Sequence, residues 1–439
     1  MLCFVLFACS GRKEKYQTMQ TGTVVPFYQT YSSDVEIESQ LRTVRVGVLL
    51  PLSGKYEKLG NDLRNATDLA LFGFAKNFEF FPYDTKGTAE GAVDAFHKVK
   101  EKSVEIILGP VMAEEVAAVA PLARRYDIPM ITFTSDKDNL GDGVYSMALT
   151  LENQTERIIR FACEKGSKKI SILAPDNKAG DIAIDAAKKA AEACGIEVKH
   201  LSVYNPTFVN FNPYVTAVLP EAFVKERKEI SQKKKKLRAG LIKKSDLKDT
   251  KQDEEAEEPL TIAEQLDFDA LFIADDGNRL KSISALFGLY DVSPDDVLFL
   301  GLSTWDDTSL SKEGSLKNSY YPVLPKKGYN TFSDKFNNSY GKKPSRLASL
   351  GYDAVSLAWL WTKQPNWKET RFLMENEFIG TDGTFRFRLD GTTERLMGIN
   401  QIKGDNRFVR IEMPSSNFVE EDEKKAQMQE IKYENTQEE

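Results

Sequence analysis

From Val44 onward, apolar runs alternate with amphipathic stretches. "VRVGVLL" (residues 44–50) is almost continuously apolar, the pattern of a strand buried on both faces. "YEKLGNDLRNATDLALFGFA" (56–75) repeats its apolar positions at helical spacing. The alternation continues through "FEFFPYD" (strand), "TAEGAVDAFHKVKEK" (helix), "VEIILGP" (strand), a small-residue helical stretch after Gly109-Pro110, and "PMITFT" (strand). Buried strands separated by amphipathic helices predict a parallel sheet covered on both faces. Right-handed crossovers then make it a doubly wound lobe.

The same plan starts again near Leu151. "ENQTERIIRFACEKG" reads as a helix stopped by Gly166, "KKISILAPD" as a strand, "AGDIAIDAAKKAAEACG" as a helix and "IEVKHLSVYN" as a strand. "DALFIADDG", "NRLKSISALFGLYD" and "VLFLGLS" extend the alternation. The fold class expected is α/β, with two doubly wound parallel-sheet lobes joined by a hinge. Lobe 1 is expected over 44–149 and 322–376, and lobe 2 over 150–321 and 377–413. "YYPVLP" reads as a crossing strand, and Trp359 and Trp361 as core. "GTFRFRLDG" and "LMGINQIKGDNRFVRI" read as antiparallel strands, the second a hairpin turning at Gly404-Asp405-Asn406.

Three segments fall outside this plan. Residues 224–259 form a charged insertion, basic over 225–244 around Lys233-Lys234-Lys235-Lys236 and mostly acidic over 246–258, with a thin apolar stripe of Ile230, Leu237 and Leu241. It reads either as a solvated helical excursion or as a protruding helix that docks on a partner or an anionic envelope surface. Residues 414–439 read as a mobile acidic tail. The start, "MLCFVLFACSGRKEK", is apolar to Ala8 and then turns charged. Leu6-Phe7-Ala8-Cys9 resembles a bacterial lipobox, which implies a signal peptide over 1–8, lipid on Cys9 and a polar tether over 9–43. No positive charge precedes the apolar run, and the run is short for a signal peptide.

Composition narrows the function. A net charge of -7 argues against a nucleic-acid partner. The only histidines are His97 and His200, in separate elements and without HExxH spacing, so no metal site is expected. Cofactor loops (GxGxxG, GxxxxGK[ST]) and a GxSxG elbow are absent, and no cofactor is expected. Cys163 and Cys194 fall in two lobe 2 helices and read as small apolar side chains or as a pair in an oxidising compartment.

The chemistry on offer lies in the strand-to-helix turns. "PLSGKYEKLG" supplies Ser53 and Tyr56, "PYDTKG" Asp84, "GPVMAEE" Met112 and Ala113, "TFTSD" Thr134 and Ser135, "APDNKAG" Asp176, and "IADDGN" Asp275 and Asp276. In parallel α/β sheets the crevice beyond these strand ends is the ligand site, and helix N-termini there offer unpaired N–H groups. Two facing lobes would bury a ligand by closing on it.

"VGVLLPLSGKYEKLG", "YDTKG", "ILGP…VAAVAPLARRYDIPMITFTSD", "ILAPDNKAG" and "PSRLASLGYDAVSLA" resemble the type I periplasmic binding proteins of the leucine/isoleucine/valine and amide-binding group. Within that group, "FEFFPYDTKGTAEGA", "GDGVY", the charged insertion and "GTDGTFRFRLDGTTERLMGINQI" look closest to alphaproteobacterial penicillin-binding protein activator lipoproteins. In amino-acid-binding relatives the turn after "GP" provides a serine for the ligand carboxylate, and here Val111, Met112 and Ala113 stand there. Thr134 and Ser135 match the small residue and threonine of the next strand. Ala179 replaces an aromatic before Gly180, and Asp275 or Asp276 matches the acid that takes the ligand ammonium.

The resemblance implies a non-enzymatic, lipid-anchored binding protein on the periplasmic face of the envelope, held by the outer rather than the inner membrane. Its implied partner is a penicillin-binding protein, with the alternative an ABC permease for amino acids or amides. The implied ligand is small and polar: an amino acid, an amide or a peptidoglycan fragment.

Overall fold

A computed structural model describes residues 24–26, 42–207, 210–239, 241 and 260–437. Val24–Pro26 is strand β1. Lobe 1 then runs β2 (Val44–Leu50), α1 (Glu57–Gly73), β3 (Phe78–Asp84), α2 (Ala89–Glu101), β4 (Ile106–Leu108), α3 (Ala113–Arg125), β5 (Met130–Thr132) and β6 (Val144–Ser146). The strands form one parallel sheet in the order β3-β2-β4-β5-β6. The chain then crosses to lobe 2, with α4 (Leu151–Glu164), β7 (Lys169–Pro175), α5 (Lys178–Cys194), β8 (Glu197–Tyr204), α6 (Asn212–Thr216), α7 (Glu221–Arg238), α8 (Ile262–Gln265), β9 (Ala270–Ile273), α9 (Gly277–Leu289), β10 (Leu298–Leu300) and β11 (Tyr320–Val323). It returns to lobe 1 through α10 (Lys326–Tyr340), α11 (Ala348–Thr362) and α12 (Arg371–Glu375).

Glycines in the first turns of helices set the sheet–helix approach in both lobes. A Cβ on Gly60 of α1 would stand 1.9 Å from the Pro51 carbonyl, and one on Gly180 of α5 would stand 1.8 Å from that of Pro175. Only glycine lets each helix start against the end of its preceding strand. The long apolar helix α11 is buried along almost its whole length, with Trp359 and Trp361 in the lobe 1 core as expected.

The last third departs from the expected division. Residues 377–395 do not enter lobe 2. They form β12 (Glu377–Gly380), β13 (Gly383–Phe387) and β14 (Thr393–Arg395), which join β1 in a separate sheet of order β1-β12-β13-β14. Phe378, Phe385 and Phe387 pack into the lobe 1 core, where Tyr145 and Phe387 meet edge to face at 5.5 Å. Of these strands the sequence pattern identified only the stretch at 383–391, and such a pattern carries no information about which lobe takes its apolar face. Val24–Pro26, inside the stretch expected as tether, pairs parallel with β12. The chain enters lobe 2 again only at 396–397, adding β15 (Gly398–Gly404) and β16 (Arg407–Glu412) antiparallel to β11, in a sheet of order β16-β15-β11-β10-β9-β7-β8. The hairpin turns at Asp405 and Asn406, both at positive φ, as the sequence predicts.

The interlobe crossings are tied together. Thr393 Oγ1 donates to the Ala148 carbonyl (2.9 Å), Arg395 N to Asn153 Oδ1 (2.8 Å), and Arg157 Nε to the Met397 carbonyl (3.1 Å). The acidic tail is not a free end. It forms α13 (Phe418–Gln437), and Phe418 is buried. Asp422 receives both Nη atoms of Arg386 at 2.6 and 2.8 Å, Lys425 pairs with Glu394 and Glu156, and Arg160 pairs with Glu421. Arg386 and Glu394 belong to the sheet on lobe 1, and Glu156 and Arg160 to α4 of lobe 2. The tail is ordered because its acids meet arginines from both lobes. The putting in place of a lipid on Cys9, the 1–8 leader and the return of the insertion over 242–259 lie outside the described residues.

Candidate functional site

The expected strand-to-helix turns form at the ends of the strands in both sheets, but most of their polar groups already have partners. Ser53 and Asp84 meet directly. Asp84 accepts Ser53 Oγ (2.6 Å) and the N–H groups of Leu52, Ser53 and Lys86 at 2.8, 3.2 and 2.8 Å. Burial alone would raise its pKa, but these hydrogen bonds outweigh it and hold the carboxyl below its ordinary value. Ser53 and Asp84 therefore act as a turn brace. Tyr56 is half-buried, with its ring against Gly87.

The turn after Gly109-Pro110 is closed from within. Glu115, fully buried, folds back and accepts the N–H of Met112 (2.8 Å) and of Val111 (3.2 Å). These amides stand at the start of helix α3, where N–H groups lack intrahelical partners and can hold an anion. Glu115 occupies them from within the chain, and burial raises its own pKa. Met112 is half-buried and Ala113 exposed. Glu115 was not among the residues expected at the site. The local signal was a glutamate three residues after the helix start, the spacing of a capping box, with Met112 in place of its usual serine or threonine.

Thr134 is buried, and its Oγ1 accepts the Asp136 amide at 3.1 Å. Ser135 is exposed and keeps its hydroxyl free of side-chain hydrogen bonds among the described residues. The next residues carry the interlobe contact. Lys178 Nζ, from α5 of lobe 2, lies 2.6 Å from Asp136 Oδ2 and 2.6 Å from Asp138 Oδ2. Burial would raise the Asp136 pKa, but the Lys178 ammonium and the Asp138 amide lower it on balance. Asp176, two residues before Lys178, is exposed.

In lobe 2 the two candidate acids separate. Asp275 is buried and accepts Arg279 Nε at 2.7 Å and Nη2 at 2.8 Å, the Asp276 amide at 2.7 Å, and the Tyr204 hydroxyl. Burial first, and then the Asp275 carboxylate, push the Tyr204 phenol well above its ordinary pKa. With its charge matched by Arg279, Asp275 is not a free partner for an ammonium, contrary to the expectation for it. Asp276, half-buried at the start of α9, carries no side-chain hydrogen bond among the described residues. Ser303 is engaged by Gln154 Oε1, which accepts both its N–H (3.0 Å) and its hydroxyl (2.6 Å).

Among the described residues no group of three His, Cys, Asp or Glu side chains is placed to hold a metal. Cys163 and Cys194 are free thiols, with Cys163 Sγ 3.7 Å from the Cys194 carbonyl.

Two lobes built on largely parallel sheets and joined by three crossings settle the architecture. The fold is that of a type I periplasmic binding protein. Residues 43–221 match the family model described as periplasmic binding protein. A substrate-binding protein of an ABC transporter from Sphaerobacter thermophilus superposes on this fold with a TM-score of 0.59 at 17% identity, covering 85% of this chain and 97% of that one. LpoA of Haemophilus influenzae gives a TM-score of 0.57 at 15% identity, covering 85% of this chain and 59% of its own. In sequence, the penicillin-binding protein activator LpoA of Pasteurella multocida is 25% identical over 187 residues, which are 42% of this chain and 31% of that protein. The chain thus matches less than a third of the length of that relative. Solved structures of this fold include both a substrate-binding protein of an ABC transporter and LpoA, so the fold alone assigns no role.

Proposed function

We propose that this protein is a non-enzymatic envelope lipoprotein that activates a penicillin-binding protein, and that its periplasmic-binding fold serves as a docking scaffold. The carrying observation is Glu115 on the Val111 and Met112 amides, which fills with a side chain the place where a receptor would hold a ligand carboxylate. The pairing of Asp275 with Arg279 withdraws the matching acid on the other lobe. Sequence similarity to a penicillin-binding protein activator supports the same reading. Attachment through Cys9 would place the protein at the periplasmic face of the membrane, preferably the outer one.

The ABC-importer reading rests on Ser135 and Asp276, whose side chains make no side-chain hydrogen bond among the described residues. One pair of measurements separates the two. The purified protein is expected to raise the glycan-polymerising rate of a cognate penicillin-binding protein. It is expected to show no rise in melting temperature with leucine, isoleucine, valine, amides or peptidoglycan fragments, since a ligand that binds only the native state stabilises it. A several-degree rise with an amino acid, without any effect on the synthase, would establish the receptor instead.

A further inference from the structure

Helix α7 is anchored only at its start. Phe223 and Val224 are buried in lobe 2, and Arg227 reaches Gln265 at 3.0 Å and Asp291 at 3.4 Å while lying 4.8 Å from the Phe223 ring centre. Beyond Arg227 no ion pair or side-chain hydrogen bond joins the helix to the other described residues, and none of its side chains is buried. Residues 228–238 therefore form an arm about 16 Å long at 1.5 Å per residue. The arm carries Lys228, Lys233, Lys234, Lys235, Lys236 and Arg238 against the single acid Glu229. This local excess of positive charge sits on a chain whose net charge is -7.

The arm also has a defined apolar line. At 100° per residue, Ile230 and Leu237 fall within 20° of each other, and Lys233 and Lys234 lie about 60° and 40° to its two sides. Leu241, just past the helix end and tied by its N–H to the Lys236 carbonyl, is 74% exposed. A narrow apolar line flanked by lysines is the arrangement of a helix lying on an anionic bilayer, its aliphatic stems in the interface and its ammonium groups at the phosphates. Five of the six cations are lysines, which act as point charges toward a diffuse anionic surface and do not need the bidentate geometry that arginine gives to a specific carboxylate.

We infer that the α7 arm binds the surface of an anionic phospholipid membrane, orienting lobe 2 toward the bilayer. The inference is independent of the role proposed for the interlobe site.

The test uses the full chain with Cys9→Ser, so that an attached lipid cannot supply affinity. It is sedimented with phosphatidylcholine vesicles, with or without a quarter of phosphatidylglycerol. The protein is expected to pellet only with the anionic vesicles and to be released by salt. Reversing Lys233, Lys234, Lys235 and Lys236 to glutamate is expected to lower the partition constant by on the order of a hundredfold or more, from roughly 1 kcal/mol per cation. Because these side chains are unburied, the melting temperature reports whether the variant is folded. A chain lacking residues 246–258, the acidic run that follows, is expected to bind the anionic vesicles at least as well. No pelleting of the parent, or equal pelleting of the folded reversal variant, would overturn the inference. So would binding to polyglutamate without binding to vesicles, which would assign the arm to an acidic protein.

Discussion

The ammonium of Lys178, the first residue of α5 in lobe 2, lies 2.6 Å from carboxylate oxygens of both Asp136 and Asp138 in the β5–β6 loop of lobe 1. One side chain thereby spans the two lobes. Lys178 is over half exposed, so the bridge stabilises the fold little, but its position gives it leverage over the lobe angle. Lys178→Met is expected to leave the melting temperature nearly unchanged and to increase the radius of gyration in small-angle scattering. The Asp136 carboxyl titrates below its ordinary value. Its contribution is therefore present above about pH 4 and is lost only as pH falls through the depressed value. The parent should keep one lobe angle from neutral pH down to about pH 4 and open below that, and an unchanged angle throughout would reject the bridge as a latch.

Removal of Glu115 should uncover a binding site. Glu115→Ala leaves the Val111 and Met112 amides without an acceptor, at an expected cost of about 1–3 kcal/mol in denaturant melts. Acetate is then expected to raise the melting temperature of the variant and not of the parent, because the exposed start of α3 can hold a carboxylate. Identical acetate responses would show that the amides face no accessible space.

Asp353 predicts a loss of stability at neutral pH. It is fully buried in α11, where Thr381 N–H and Oγ1 donate to it, and burial together with the nearby Asp382 carboxylate pushes it up to about 7. A carboxyl whose folded value is raised contributes stability that is complete below its unfolded value near 4 and is lost as pH rises through about 7. The loss is on the order of 2–4 kcal/mol. Asp353→Asn is expected to flatten the decline between about pH 4 and pH 7, measured as unfolding free energy against pH. A parallel decline in both proteins would place its source elsewhere.

The tail helix should behave as part of the fold. Deleting residues 414–439 strips partners from Arg160, Arg386, Glu377 and Glu394, all of which meet α13. Arg160 keeps Glu164, and Arg386 and Glu394 keep each other, so the cost is that of lost hydrogen bonds to charged groups, about 1.5–3 kcal/mol. The truncated chain is expected to unfold at lower denaturant and to exchange amide hydrogens faster around residues 147–150 at the crossing. Unchanged stability would return the tail to the status of an appendage.

Periodicity and turn chemistry were enough to read two lobes of alternating strand and helix, the Trp359–Trp361 core and the hairpin at Asp405-Asn406. Those signals are local, because each reports one element's buried face or one turn's backbone. The pairing of Asp275 with Arg279 was within local reach too, at i,i+4 spacing on one helix start. Only the tertiary structure decided that residues 377–395 cover lobe 1, that the acidic tail meets arginines of both lobes, and that Lys178 closes on Asp136. Each depends on groups brought together from distant parts of the chain, and an exposed charge in sequence does not specify its partner. The sequence placed polar and small residues in the strand-to-helix turns, and the packing decided that most of those polar groups would satisfy one another.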